Sequence, residues 1–296
     1  MLNRILCLLC LVTCLVGSQP ARAAFDMSIS INSSGFNASQ LTSLQASLDL
    51  AEARWENVIT GYQPGISITG VSITTVAGSA FAAAAPGSIV SQGGFYLSTT
   101  GTLFVNPAVI DAYASWNGVG PTNPNPAYLG LNYLDDILGH EIGHALGIGT
   151  LWDDNGVSMG GTGQYTGTYG VQAYQMEFDP LATFVPVEQA GGTGTPDNHW
   201  NQLMRSSAQE GNPSDPWSLS PLTGITDAQG RDFAMELMTG ALDPDYGEPF
   251  LSMTTVQSLR DMGFTVVPEP SGMVLLACAA GVITTGRRRR SAVTRL

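Results

Sequence analysis

The sequence predicts an α+β fold, and three stretches carry that reading. Leu41, Leu44, Leu48, Ala51, Trp55 and Val58 recur at the three- and four-residue spacing of an amphipathic helix, with Gly61 as its stop. Residues 66–76 are β-branched and alternate, as in Ile66-Ser-Ile-Thr-Gly-Val-Ser-Ile73, and read as one or two strands. A second helix starts near Tyr133, with Asp135 and Asp136 in its first turn, where the helix dipole favours anions. Between these, Phe95 to Val105 reads as a hairpin or an edge strand, and Asn117 to Gly130, rich in proline, glycine and asparagine, as a loop. After Trp152 the chain is rich in glycine and tyrosine, with a short helix expected over 171–178 and mostly loop over 191–230. A last helix over 252–262 is stopped by Gly263. No internal repeat and no domain boundary is visible within 24–266.

The chain has 3 histidines, His140, His144 and His199. The first two lie in His140-Glu141-Ile142-Gly143-His144-Ala145-Leu146-Gly147, an HExxHxxG stretch. Residues four apart share one face of a helix, so both imidazoles can point at one metal ion. Glu141, beside His140, can lean over that ion without ligating it and act as general base and acid. Catalytic zinc takes three protein ligands and keeps one position open; it brings the pKa of its water to roughly 7 and polarises a carbonyl. His199 is the remaining nitrogen ligand. HExxH alone also occurs in surface helices that bind nothing, but Gly147 permits a sharp turn after the second histidine, which favours a built site. Asp153 and Glu177 remain as rival third ligands. Asp153, Asp154 and Asn155 suggest calcium only weakly, because they lack the spacing of an EF-hand and read equally as a solvated turn.

These motifs together resemble the metzincin zinc proteases, and specifically their bacterial leishmanolysin-like branch. Most metzincins place the third histidine three residues after the glycine, where this chain has Thr150. The leishmanolysin-like branch inserts several dozen residues and uses a His-Trp pair, as His199-Trp200 would be. Gly147-Ile-Gly-Thr-Leu-Trp152, Tyr165-Thr166-Gly167 with Tyr174-Gln175, Glu236-Leu-Met-Thr-Gly240 and Val256-Gln-Ser-Leu-Arg-Asp-Met-Gly-Phe264 extend the likeness over roughly residues 36–266. The resemblance implies a twisted mixed sheet packed on two long helices, with a loop-rich C-terminal lobe closing a zinc cleft. It implies His140, His144 and His199 as ligands of one catalytic zinc, Glu141 as general base, and Met238 as the methionine of a tight turn beneath the metal. The implied activity is endopeptidase hydrolysis of a protein or peptide substrate by Glu-assisted attack of a zinc-bound water. In that family the edge strand above the zinc helix pairs with extended substrate; Gly101-Thr-Leu-Phe-Val105 is the candidate, with an ordinary core strand as the alternative. No side chain after Met238 is assigned to oxyanion stabilisation. The rival reading is a catalytically retired surface or matrix binding protein on the same scaffold; a hydrolase acting on something other than protein is a third.

The ends of the chain add location. Residues 1–23 read as a secretory signal: Arg4, an apolar run from Ile5 to Val16, and Ala21-Arg22-Ala23 as a small-x-small cleavage site. The catalytic domain is then 24–266. It contains none of the 4 cysteines, so it relies on its core rather than on disulfides. It carries four arginines, no lysine and twenty-three acidic residues, a net charge of −19. That balance argues against nucleic acid and against an anionic membrane surface as partners. From 267 to 296 the order Val267-Pro-Glu-Pro-Ser271, an apolar stretch from Met273 to Ile283 and the cluster Arg287 to Arg290 resembles a PEP-CTERM-type sorting tail. The resemblance implies an exosortase-like processing enzyme as partner and a transient hold in the inner membrane of a Gram-negative bacterium. The exported domain would then be released or displayed at the cell surface, as a monomer. A plain tail anchor is the alternative.

Overall fold

The computed structural model describes residues 25–77, 81–119, 124–202 and 223–268, so the expected signal and nearly all of the expected sorting tail lie outside the described residues. The architecture is α+β, with a mixed four-stranded sheet, three two-stranded sheets and five α-helices among those residues. Strand β1 (Ile29–Ile31) precedes helix α1 (Ala38–Glu56) and strands β2 (Ile59–Gly61), β3 (Val71–Thr75), β4 (Ala82–Pro86), β5 (Ile89–Gln92), β6 (Phe95–Ser98) and β7 (Gly101–Val105). Then come α2 (Pro107–Tyr113), α3 (Leu134–Leu146), β8 (Gln164–Tyr165), α4 (Thr168–Glu177), β9 (Val185–Pro186), α5 (Met253–Asp261) and β10 (Thr265–Val266). Among the described residues no helix is long and apolar enough to cross a membrane.

Helix α1 begins with a reciprocal cap in which the Asn37 side chain accepts from the Gln40 N–H and the Gln40 side chain from the Asn37 N–H. It buries Leu44, Leu48, Ala51 and Trp55. Its partner is α3: the Trp55 indole donates to the Gly139 carbonyl at 2.8 Å, and Arg54 reaches Asp135 at 3.1 Å and Asp136 at 2.7 Å. These two are the longest helices, 19 and 13 residues.

The main sheet has the order β1-β3-β7-β4; β1, β3 and β7 run parallel and β4 antiparallel. Gly101 lets β7 lie against α3, because a Cβ there would stand 3.0 Å from the Ala145 Cβ. This corrects the expectation of an edge at Gly101–Val105: β7 is a core strand between β3 and β4, and the open edge belongs to β4. Asn106 donates to the Phe81 carbonyl and Gly87 to the Thr100 carbonyl. With the register, these bonds turn the main chain of Ala83 and Ala85 toward β7 and that of Ala82 and Ala84 toward the open side. Residues 95–98 fall in a different sheet, the β5-β6 hairpin.

One large core runs from Leu44 and Trp55 through Ile73, Leu103 and Leu138 to Trp152, Trp200, Met238 and Leu259. A smaller cluster of Val109, Tyr113, Trp116, Tyr133 and Ile137 supports the start of α3.

Candidate metal centre

Helix α3 sets His140 and His144 one turn apart on one face, and Gly147 then turns the chain out of the helix at φ 112°. Its N–H is satisfied by the carbonyls of Gly143 and His144. Thr150, at the usual third-ligand position of the resembled family, instead donates its hydroxyl to the His144 carbonyl at 2.7 Å.

His199 arrives on a loop held by main-chain bonds on both sides. Its carbonyl accepts from Glu188, the Trp200 N–H donates to Met238, and the Asn201 N–H to Pro186. The Trp200 indole is buried against Trp152 and Tyr165 and donates to Thr255 at 2.7 Å. Gly149 admits this loop, since any Cβ there would fall on the Asn198 carbonyl.

The Nε2 atoms of the three histidines meet. His140 to His144 and His144 to His199 are 3.0 Å, and His140 to His199 is 3.2 Å. Each Nδ1 faces a main-chain carbonyl: Leu237 for His140 at 2.7 Å, Ile148 for His144 at 2.9 Å and Thr195 for His199 at 2.9 Å. A carbonyl only accepts, so each Nδ1 carries the proton and each neutral ring presents a bare Nε2. Burial keeps the rings neutral; it lowers His140, lowers His144 well below the ordinary imidazole value, and lowers His199 to about 3. Three lone pairs therefore converge with no proton to share. A cation at their centre resolves that repulsion, and a tetrahedral ion with bonds of about 2.0–2.1 Å needs its nitrogens about 3.3–3.4 Å apart, close to the spacing found. Among the described residues this trio is the one group that could hold a metal ion.

Leu237 and Met238 belong to a tight turn closed by the Thr239 N–H on the Glu236 carbonyl at 3.1 Å. Met238 is fully buried, with its sulfur where a Cβ on Gly143 would lie. The Glu236 carboxylate accepts from the N–H of Met238 at 2.6 Å, and from Ser252 and Thr255 at the start of α5. The turn that steadies His140 is thus tied to the last helix.

Glu141 lines the same cavity as the trio, a space of about 530 Å³. Its Oε2 has no hydrogen-bond partner, and burial raises its carboxyl to about 8. A carboxyl in that state exchanges protons readily near neutrality.

The rival ligands lie elsewhere. Asp153 and Asp154 are exposed, and Asn155 spends its amide on the main chain of Tyr96 and Leu151. Glu177 caps α5, accepting from the N–H groups of Met253 and Thr254. Sequence reasoning missed the three carbonyls behind the histidines, which carry no residue signature, and Ala82 and Ala84 of the open edge. It also passed over Gly149, for which a second glycine two residues after Gly147 was the available signal. No family model, no curated protein and no solved structure matches the chain.

Proposed function

We propose that the chain is a secreted zinc-dependent endopeptidase of metzincin-like, leishmanolysin-like design. The observation that carries this is the convergence of three bare Nε2 atoms beside an unpartnered glutamate in an open cavity. His140, His144 and His199 would hold the ion, and the all-nitrogen donor set with a fourth side left open suits catalytic zinc. Bound there, zinc acidifies water and polarises a carbonyl.

The chain's own groups then have assigned tasks. The N–H and C=O of Ala82 and Ala84 grip an extended peptide along the open edge of β4. Glu141 takes a proton from the attacking water at its free Oε2 and delivers it to the leaving amine. The carbonyls of Leu237, Ile148 and Thr195 hold the imidazoles in the ligating tautomer.

The test is metal content by mass spectrometry together with casein zymography, with and without chelator. The wild type should carry one zinc and clear casein. His199→Ala should lose the metal, and Glu141→Gln should keep it while losing activity by about a hundred-fold or more. A zinc-loaded wild type that cuts nothing would favour the retired binding scaffold; zinc retained by His199→Ala would remove His199 from the ligand set.

A further inference from the structure

The cavity beside the trio extends back along α3 and carries a charge that the proposed chemistry does not use. His140 and Asp136 both line it, four residues and so about 6 Å apart along the helix axis. Asp243 also lines it, at the same end, because the next residue, Pro244, accepts from the hydroxyl of Tyr133 at the start of α3. The walls between are apolar: Phe81, Ile137, Leu242 and Pro249. Among the described residues no arginine lines the cavity, and the chain has no lysine.

The two acids differ in their state. Asp136 is paired with Arg54 at 2.7 Å. Asp243 is 4% exposed; one carboxylate oxygen accepts from Gln202, and Oδ1 has no hydrogen-bond partner among the described residues. Burial raises the Asp243 carboxyl to about 7, so it stands between acid and anion near neutrality, and a cation beside it would favour the anion. A buried carboxylate oxygen without a partner is costly, and a cation brought in from the cavity would offset that cost.

We infer that this cavity selects a substrate residue with a basic side chain, arginine ahead of lysine, directly beside the scissile bond. The methylene stem lies along Phe81, Ile137 and Leu242, and the head group meets Asp243. The rise of about 6 Å along α3 from His140 to Asp136 is of the order of such a stem's length, and the planar guanidinium suits a carboxylate better than an ammonium does. The inference rests on the peptidase reading above.

The test uses the zinc-loaded full chain and peptides that differ only at the residues flanking the cut: arginine, citrulline, leucine or glutamate. Citrulline keeps the shape of arginine and removes its charge. Expected is a kcat/KM for arginine about ten-fold or more above citrulline, with glutamate the poorest. Asp243→Asn should bring the arginine-to-citrulline ratio toward one; if that variant does not fold, the wild-type comparison decides alone. Equal cutting of arginine and citrulline, or leucine as the best residue, would overturn the inference and leave the peptidase reading standing. No cutting of any peptide would overturn both.

Discussion

Gly149 sits at φ 75°, three residues past the end of α3, where any Cβ would fall on the Asn198 carbonyl next to His199. Gly156 has a similar φ of 67° but open space around it. Both substitutions to alanine carry the left-handed backbone cost of about 1 kcal/mol, but only Gly149→Ala also has to push the His199 loop away. Gly149→Ala should therefore weaken zinc binding by about ten-fold or more, while Gly156→Ala leaves it unchanged. Competition against a chromogenic chelator reads the difference, and equal affinities would show that the loop adapts at no cost. Gly147 and Gly149 also mark what the sequence could reveal. Gly147 was legible because it ends a helix whose pattern is local. Gly149 was not, because its reason lies on Asn198, in a segment distant along the chain. The histidines themselves were legible for the opposite reasons: two share a helix face, and the third was the last imidazole left.

At the scale of elements, the long helices were readable, while the short helix α2 and several strands, β4 among them, were not. The apolar spacing of α1 and the acid-started α3 predicted both within a few residues, because their periodicity reports a buried face directly. Strand β4 is Ala82-Ala-Ala-Ala-Pro86, with no β-branched or aromatic side chain, so its extended form comes from pairing with β7 rather than from preference. That hidden strand is why β7 was a candidate for the edge. Helix α5 shows the same dependence on distant partners. Its first N–H groups end on Glu177, the last residue of α4, at 2.8 and 2.7 Å, and the Thr254 hydroxyl adds a third bond at 2.8 Å. Glu177→Ala should cost about 2 kcal/mol in urea unfolding through lost capping, with zinc affinity unchanged. A loss of zinc without a loss of stability would instead make Glu177 a ligand.

Across the whole molecule, the two halves meet at the histidine trio. His140 and His144 come from the part that contains the sheet, while His199, the Met238 turn and α5 come from the C-terminal part. An ion bound to all three imidazoles therefore joins both parts and adds its binding free energy to folding. At free zinc of one hundred times Kd that contribution is about 2.7 kcal/mol, which for a domain of this size raises Tm on the order of 5–10 °C. Chelator should lower the melting temperature of the wild type by that amount and leave His199→Ala unmoved. A wild type that melts identically with and without chelator would mean that the folded trio holds no metal. The α+β class and the grouping of the three histidines were thus open to reading from the chain, whereas the way its two parts lock together rests on main-chain atoms that no residue name records.

The bond from His140 to the Leu237 carbonyl spans 97 residues. During synthesis, at about 5–20 residues per second, the helix that carries the first two imidazoles emerges seconds before the turn that steadies His140. Over the first part of that interval the nascent chain has no third ring, and throughout it His140 lacks its carbonyl partner. Completion of the cluster is in this sense a property of the finished polypeptide, out of reach of a ribosome-bound fragment.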